Sequence, residues 1–302
     1  MRDGLIKRQA RRVLESERYA LILVVVLMLL PYTAWASMSI ISLITLRKGW
    51  KSSAVLIIPA LTAHIVVSLM STVLRVALMD ACICVLPCYL AACVLRATSS
   101  WKMVAVAFFA LVIVGAFVLH VYAPHVIDAQ YMYLKAILTE TDSGRMVLDL
   151  WEKQAIPLFF FSNYLLGFQA VCLLGTILTP LLFARSIQAQ LYYPGGFRQD
   201  MLNFRADKKS VVVLIIVCIA AYQEHVLAMN SLPLIVFYFI LAGLSLGAHV
   251  LTKMKPLRVF VLLMVPLMLL PLMVIPFYLL LGMFDGLFNV RLYLSSRAGK
   301  AT

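Results

Sequence analysis

"YALILVVVLMLLPYTAWASMSIISLITL", residues Tyr19–Leu46, is an apolar run of 28 residues with Pro31 near its middle. At about 1.5 Å per residue a single helix of that length would measure roughly 42 Å, against a hydrocarbon core of about 30 Å. Proline in a helix interior removes a hydrogen-bond donor and clashes with the preceding turn. The run is therefore either one steeply tilted helix or two half-helices that turn the chain back on itself. The same question recurs near the other end, where Leu257–Phe284 is equally long and carries Pro266, Pro271 and Pro276.

Six further apolar runs lie between these two: Ala54–Leu74, Val76–Leu95, Met103–Tyr122, Pro157–Ala184, Val211–Met229 and Leu232–Thr252. Hydrophobic residues make up 64% of the 302 residues, charged residues 13%, and the mean hydropathy is +0.98. A soluble domain has roughly 25% charged residues, and its core cannot absorb so much apolar surface. The runs are apolar on every side, which excludes the alternating strands of a barrel. The expected fold is an all-α polytopic transmembrane bundle of about eight apolar segments, the first and last broken or re-entrant. A basic amphipathic helix (residues 1–18) precedes a single transmembrane domain (19–284), and a basic tail (285–302) follows it.

The N-terminal segment is too long and too acidic, with Asp3, Glu15 and Glu17, to read as a cleaved signal peptide. All six cysteines fall inside apolar runs, where they pack as small hydrophobes; Cys84 and Cys88 share a helix face, yet no histidine accompanies them to build a metal site.

Sidedness follows from lysine and arginine in the short loops. Arg47, Lys48 and Lys51; Arg96 and Lys102; Arg185, Arg198, Arg205, Lys208 and Lys209; and Lys253, Lys255 and Arg258 occupy four alternate loops, while the intervening loops hold only Arg75, Lys135, Arg145 and Lys153. The first set is expected in the cytoplasm. Loop 124–156 then lies outside as one or two amphipathic helices, and loop 185–210 lies inside. Both termini are basic as well, with Arg2, Lys7, Arg8, Arg11, Arg12 and Arg18 at one end and Arg291, Arg297 and Lys300 at the other. Eight simple crossings would leave both outside; broken or re-entrant end runs would return them to the cytoplasm, whereas steep tilt, the rival explanation of the runs' length, would not.

Ionisable groups at membrane depth are candidate sites because burying them is costly. Gln223, Glu224 and His225 form the densest polar cluster of any run, placed either to meet a cationic ligand from outside or in the wet interface. Asp80 has Arg75 as its expected ion-pair partner, and His64 reads as a satisfied core histidine. "GLSLG" places Gly243 and Gly247 on one helix face for close packing or docking, and Gly167 with Gly175 offers a similar face. In "YYPGGFRQDMLNFRADKKS" (Tyr192–Ser210), Gly195, Gly196, Arg198 and Arg205 can contact an anion or a partner. The stretch lacks the lysine and spacing of a nucleotide loop and reads as a turn at Pro194–Gly196 followed by a short amphipathic helix. No nucleophilic constellation, metal cluster or cofactor motif is visible, so neither an enzyme nor a cofactor is expected. The net charge of +13 is read as facing lipid headgroups and protein partners, not nucleic acid.

Taken in order, "LITLRKG" (Leu43–Gly49), "LYYPGGFRQDMLNFR", "ILAGLSLGAHVL" (Ile240–Leu251) and "LLLGMFDGLFNVR" (Leu279–Arg291) resemble the YybS-like family of bacterial inner-membrane proteins. That family is distantly similar to the S components of energy-coupling-factor transporters. The resemblance implies a small-molecule-binding subunit, with a ligand end near Glu224 and with docking faces at Gly243 and Gly247 and at the cytoplasmic loop. These would meet a transmembrane coupling subunit driven by ATPases. The chain has more apolar runs than the six of an S component, and no vitamin-binding motif matches. The alternative is a non-transporting scaffold that binds lipid, other membrane proteins or a second copy of itself through its basic cytoplasmic face. In a third reading Asp80 and Glu224 serve proton coupling.

Overall fold

The computed structural model describes residues 4–153, 158–252 and 254–292, and every element among them is a helix. In chain order these are α1 (Leu5–Glu15), α2 (Glu17–Leu29), α3 (Ala34–Lys48), α4 (Trp50–Ser68), α5 (Leu74–Thr98), α6 (Trp101–Tyr122), α7 (Pro124–Thr139), α8 (Asp142–Lys153), α9 (Leu158–Tyr192), α10 (Gly196–Asn203), α11 (Lys208–Tyr222), α12 (Val226–Val250), α13 (Pro256–Leu269) and α14 (Pro271–Phe288). The protein is an all-α polytopic membrane bundle. Six helices, α4, α5, α6, α9, α12 and α14, are long and apolar enough to cross a bilayer. The chain forms two compact units, residues 1–108 with 173–201, and residues 109–172 with 202–302.

The first unit answers the question posed by Tyr19–Leu46. The helix stops at Leu29, the chain turns through Leu30–Thr33 with Tyr32 in the left-handed region (φ 62°), and α3 runs back along α2. Ser37 Oγ donates to the Val24 carbonyl at 2.9 Å, and Lys48 Nζ lies 3.9 Å from Glu17 Oε1. In an unbroken helix Glu17 and Lys48 would be roughly 46 Å apart. The run is a closed hairpin, which excludes the tilted-helix alternative. The α3 arm brings small polar residues to this packing, and the α2 arm meets it with the apolar Ala20, Val24 and Met28. Ser37, Ser42 and Thr45 are fully buried, and Thr45 and Ser39 bond back to carbonyls four residues earlier on α3.

Gly49 (φ +116°) ends α3 in a conformation that a side chain would strain. The orphan carbonyls there are satisfied from two other helices: Arg96 Nη1 donates to Thr45 O at 2.8 Å and Gln188 Nε2 to Leu46 O at 3.3 Å. The α5 face toward this core is a stripe of small residues, Ala77, Ala81, Val85, Cys88 and Ala92, closed by Leu95, all buried.

The second unit repeats the device. Leu270 alone separates α13 from α14, and Tyr278 Oη donates to Leu263 O at 3.0 Å, where a straight helix would hold the two residues roughly 22 Å apart. The last run is therefore also a hairpin. The α14 arm crosses α12 where Gly243 meets Gly282. A Cβ on Gly243 would overlap the Tyr278 carbonyl oxygen, and one on Gly282 the Phe239 carbonyl oxygen. Phe239, itself fully buried, anchors the neighbouring core with Val211, Leu214 and Ile235.

The exact count of eight is not confirmed, since six helices among the described residues are long and apolar enough to cross. The first run divides into two short arms, the last into the short α13 and the longer α14, and the sixth run, read as Val211–Met229, ends at Tyr222 because the polar triplet Gln223–His225 forms a turn. Loop 124–156 does form two helices, α7 and α8.

Adding even one methyl group at the α12–α14 crossing sets its carbon against a backbone carbonyl, which has little room to shift. Gly243→Ala is expected to destabilise by about 2–3 kcal/mol despite alanine's better helix propensity. Gly247→Ala, whose Cβ would meet the flexible end of Leu263, should cost less. Thermal denaturation in detergent reads both; an unchanged or raised midpoint for Gly243→Ala would refute the crossing.

Candidate functional site

Two polar constellations and two basic-end clamps stand out from the apolar packing. The first lies in unit 1 between α4 and α5. His64 Nε2 is 2.9 Å from Asp80 Oδ2, and Ser68 Oγ donates to the same oxygen at 3.1 Å. His64 and Ser68 are one helical turn apart and so present both groups to one carboxylate, which fixes the imidazole proton on Nε2. The expected Asp80–Arg75 pair gives way to this one. Five residues along one helix is about 500° of rotation, or 140° between the two side chains, so Arg75 points elsewhere. The histidine side chain is largely covered at 16% exposure, while Asp80 remains 58% exposed amid apolar surface that includes Val76, Met79 and Ile83.

The second constellation lies in unit 2, where α6, α9 and α12 meet. His120 Nδ1 sits 2.7 Å from Ala116 O, which can only accept, so Nδ1 carries a proton. Its Nε2 is 2.9 Å from the Asn163 side-chain amide, taking either an N–H from a turned amide or, as imidazolium, donating to the oxygen. Asn163 is 2% exposed. One turn further along α9, Gly167 lets α12 approach so closely that a Cβ there would press on the Asn230 carbonyl oxygen and the Pro233 ring. Asn230 is 1% exposed, and neither its Nδ2 nor its Oδ1 has a hydrogen-bond partner. Leaving a buried amide unsatisfied costs about 1–3 kcal/mol.

Gln223, Glu224 and His225 form the three-residue turn between α11 and α12, with Glu224 in the left-handed region (φ 64°) and exposed. They sit at a helix junction and not within an apolar helix. Gly243 faces Tyr278 and Gly247 faces Leu263, so the GxxxG surface packs against the chain's own terminal hairpin. In the basic loop, Gly195 (φ +90°) and Pro194 make the turn and α10 follows, as the sequence suggests. Arg198 lies on α10, and the Arg205 carbonyl accepts from Tyr238 Oη at 3.4 Å. Among the described residues no group of three or more His, Cys, Asp or Glu side chains converges as a metal site.

The clamps hold this loop in each unit. In unit 1, Arg185 Nε pairs with Asp200 Oδ2 at 2.8 Å and its Nη1 with Gln188 Oε1 at 2.8 Å. In unit 2, Arg291 Nε pairs with Asp285 Oδ2 at 2.8 Å. The same guanidinium donates to the carbonyls of Leu202 and Phe204 and to Ser245 Oγ, so one side chain ties α10's end, α12 and α14 together. Asp285 is fully buried and its Oδ1 lacks a partner. Sequence reading passed over His120, Asn163, Asn230 and Asp285. The Asp285–Arg291 spacing inside "DGLFNVR" was the one visible signal, whereas asparagines in apolar runs look like ordinary helix residues.

No family model, curated protein or solved structure matches the chain.

Removing one partner of the buried pair strands the other charge. Asp285→Ala and Arg291→Met are each expected to destabilise by about 3–5 kcal/mol, while the double change Asp285→Leu/Arg291→Met should cost well under their sum. Denaturant unfolding of the detergent-solubilised protein reads the cycle; additive losses would mean the two residues do not act as a pair.

Proposed function

We propose that the chain is a multi-pass protein of the bacterial inner membrane, of YybS-like type, that binds a small polar molecule from the outer side as an S component does. The observation that carries this reading is the unsatisfied amide of Asn230, buried one helical turn from the Asn163–His120 bond. A protein keeps a polar group inside apolar packing at a cost, and such groups mark ligand sites in membrane bundles. This reading moves the ligand end from Glu224 to the α6–α9–α12 junction and makes no use of enzymatic chemistry.

The proposed topology has six crossings, α4, α5, α6, α9, α12 and the shorter α11; α14, though long and apolar enough to span, serves instead as one arm of the α13–α14 hairpin, which like α2–α3 enters and leaves on one side. The basic loops and both basic termini then share the cytoplasmic side, and α7–α8 lie on the outer leaflet, which removes the conflict that eight simple crossings create. α11 is 15 residues long, about 22 Å, and reaches across only a locally thinned core. A single-cysteine variant at Tyr193, in a cysteine-free background, is expected to resist an impermeant maleimide added to intact cells and to react after lysis; a cysteine at Met132 in α7 should behave oppositely. Labelling of Tyr193→Cys from outside would overturn the topology.

A non-transporting scaffold is favoured by a different observation. α1 is strongly amphipathic, exposing Arg8, Arg11 and Arg12 while burying Ala10, Val13 and Leu14. Purification in gentle detergent distinguishes the two, since a transmembrane coupling subunit with ATPases is expected from the first reading and a regulatory or assembly complex from the second.

For the ligand itself, Asn230→Leu is expected to raise the melting temperature of the unliganded protein by a few degrees, as about 1–2 kcal/mol of desolvation penalty is relieved, and to abolish stabilisation by any metabolite that protects the wild type. A variant that still responds to that metabolite removes Asn230 from the site.

A further inference from the structure

Where the α2–α3 hairpin closes, the chain builds a cavity that the ligand reading above does not use. It encloses about 360 Å³ and is lined by Arg11, Leu14 and Glu15 of α1, Arg47 and Lys48 at the end of α3, and Tyr192 at the end of α9. That volume lies in the range of roughly 300–1,000 Å³ typical of small-molecule clefts. Three cations and one carboxylate face it, so an anion is the complementary occupant.

The geometry of Arg47 is specific. Its guanidinium carbon stands 3.9 Å from the centroid of the Tyr192 ring. A guanidinium held over an aromatic face keeps its N–H groups for other partners, and those groups can match two oxygens of a phosphate. Lys48 supplies a mobile point charge beside it. The ammonium is 3.9 Å from Glu17 Oε1, and Glu17 is 80% exposed, so that pairing is weak and open to exchange for a stronger anion.

The surroundings match the level of lipid headgroups. Trp50 and Tyr193 are exposed on the same unit beside the cavity's residues, Lys51 lies over the Trp50 ring, and α1 exposes Leu5 and Ile6 next to its arginines. Aromatic side chains with basic neighbours and an amphipathic helix are the usual furnishing of a membrane–water interface.

We propose that this cavity is a binding site for a phosphate group, held by the Arg47 fork and Lys48 over the Tyr192 ring. The phosphate can belong to an anionic lipid headgroup or to a soluble phosphate compound.

The test uses the full chain in nanodiscs of phosphatidylcholine alone, of phosphatidylcholine doped with phosphatidylglycerol, and of phosphatidylcholine with millimolar inorganic phosphate added. Thermal stability and, by native mass spectrometry, retained lipid are read for wild type, Arg47→Gln, Arg47→Lys and Arg258→Gln, the last an exposed arginine of the other unit. Stabilisation by phosphatidylglycerol alone supports a lipid source; stabilisation by inorganic phosphate supports a soluble one. In either case Arg47→Gln should weaken the effect about tenfold or more, the scale of one charge-assisted fork, while Arg47→Lys falls between and Arg258→Gln matches the wild type. The proposal is overturned if neither phosphate source stabilises the wild type, or if Arg47→Gln responds as the wild type does. Arg47→Lys guards against misfolding, since it keeps the charge at the same position.

Discussion

Backbone polar groups in a hydrocarbon core have no water to bond, so a chain can break its helix there only where the freed groups find partners within the protein. Both hairpins depend on meeting that condition. At the first tip, Thr33 Oγ1 bonds to the carbonyls of Leu27 and Leu30, and the Thr33 amide also reaches Leu30. At the second, the Leu270 amide bonds to Pro266 O at 2.9 Å, and the amides of Met273 and Val274 return to the Leu270 carbonyl. Prolines are tolerated inside unbroken helices elsewhere, as Pro59, Pro87, Pro180 and Pro233 are. What reverses the chain is a turn whose orphan groups are satisfied locally, with Pro31 in the first turn, Pro271 opening α14 after the second, and Pro266 one helical turn before it.

From this reversal the packing of each unit follows. The α2–α3 hairpin places a serine- and threonine-rich arm at the centre of unit 1, where its polar side chains bond to backbone and its small size admits the alanine stripe of α5. The α13–α14 hairpin brings Gly282 to Gly243 in unit 2, so the GxxxG surface is used inside the chain. With little hydrophobic force between helices in lipid, such close backbone approach and the hydrogen bonds it permits supply the cohesion. Arg291 adds a further tie, joining α14, α12 and the end of α10 through one buried guanidinium.

The functional groups divide by how far their meaning depends on neighbours. His64 and Asp80 stand out in the sequence as ionisable residues in apolar runs, yet their partnership with each other and with Ser68 arises only from the packing of α4 on α5. Glu224 drew notice for the same reason, but the α11–α12 turn leaves it at an exposed junction. His120, Asn163 and Asn230 come from three separate helices, and no spacing along the chain links them. Arg47 and Tyr192 are likewise distant in sequence and stacked in space.

The amino-acid sequence by itself determined that the chain is helical and lies in a membrane, where its basic loops cluster, and that the prolines of its first and last runs must be accommodated. Those properties are local, since hydropathy, charge and proline act on the residues that carry them. The tertiary structure alone decided that both long runs close into hairpins, which small residues touch, and which polar groups are paired or left without a partner. The reason is that a reversal, a backbone contact or a shared hydrogen bond is a relation between segments, and its energy exists only once the two segments are in place.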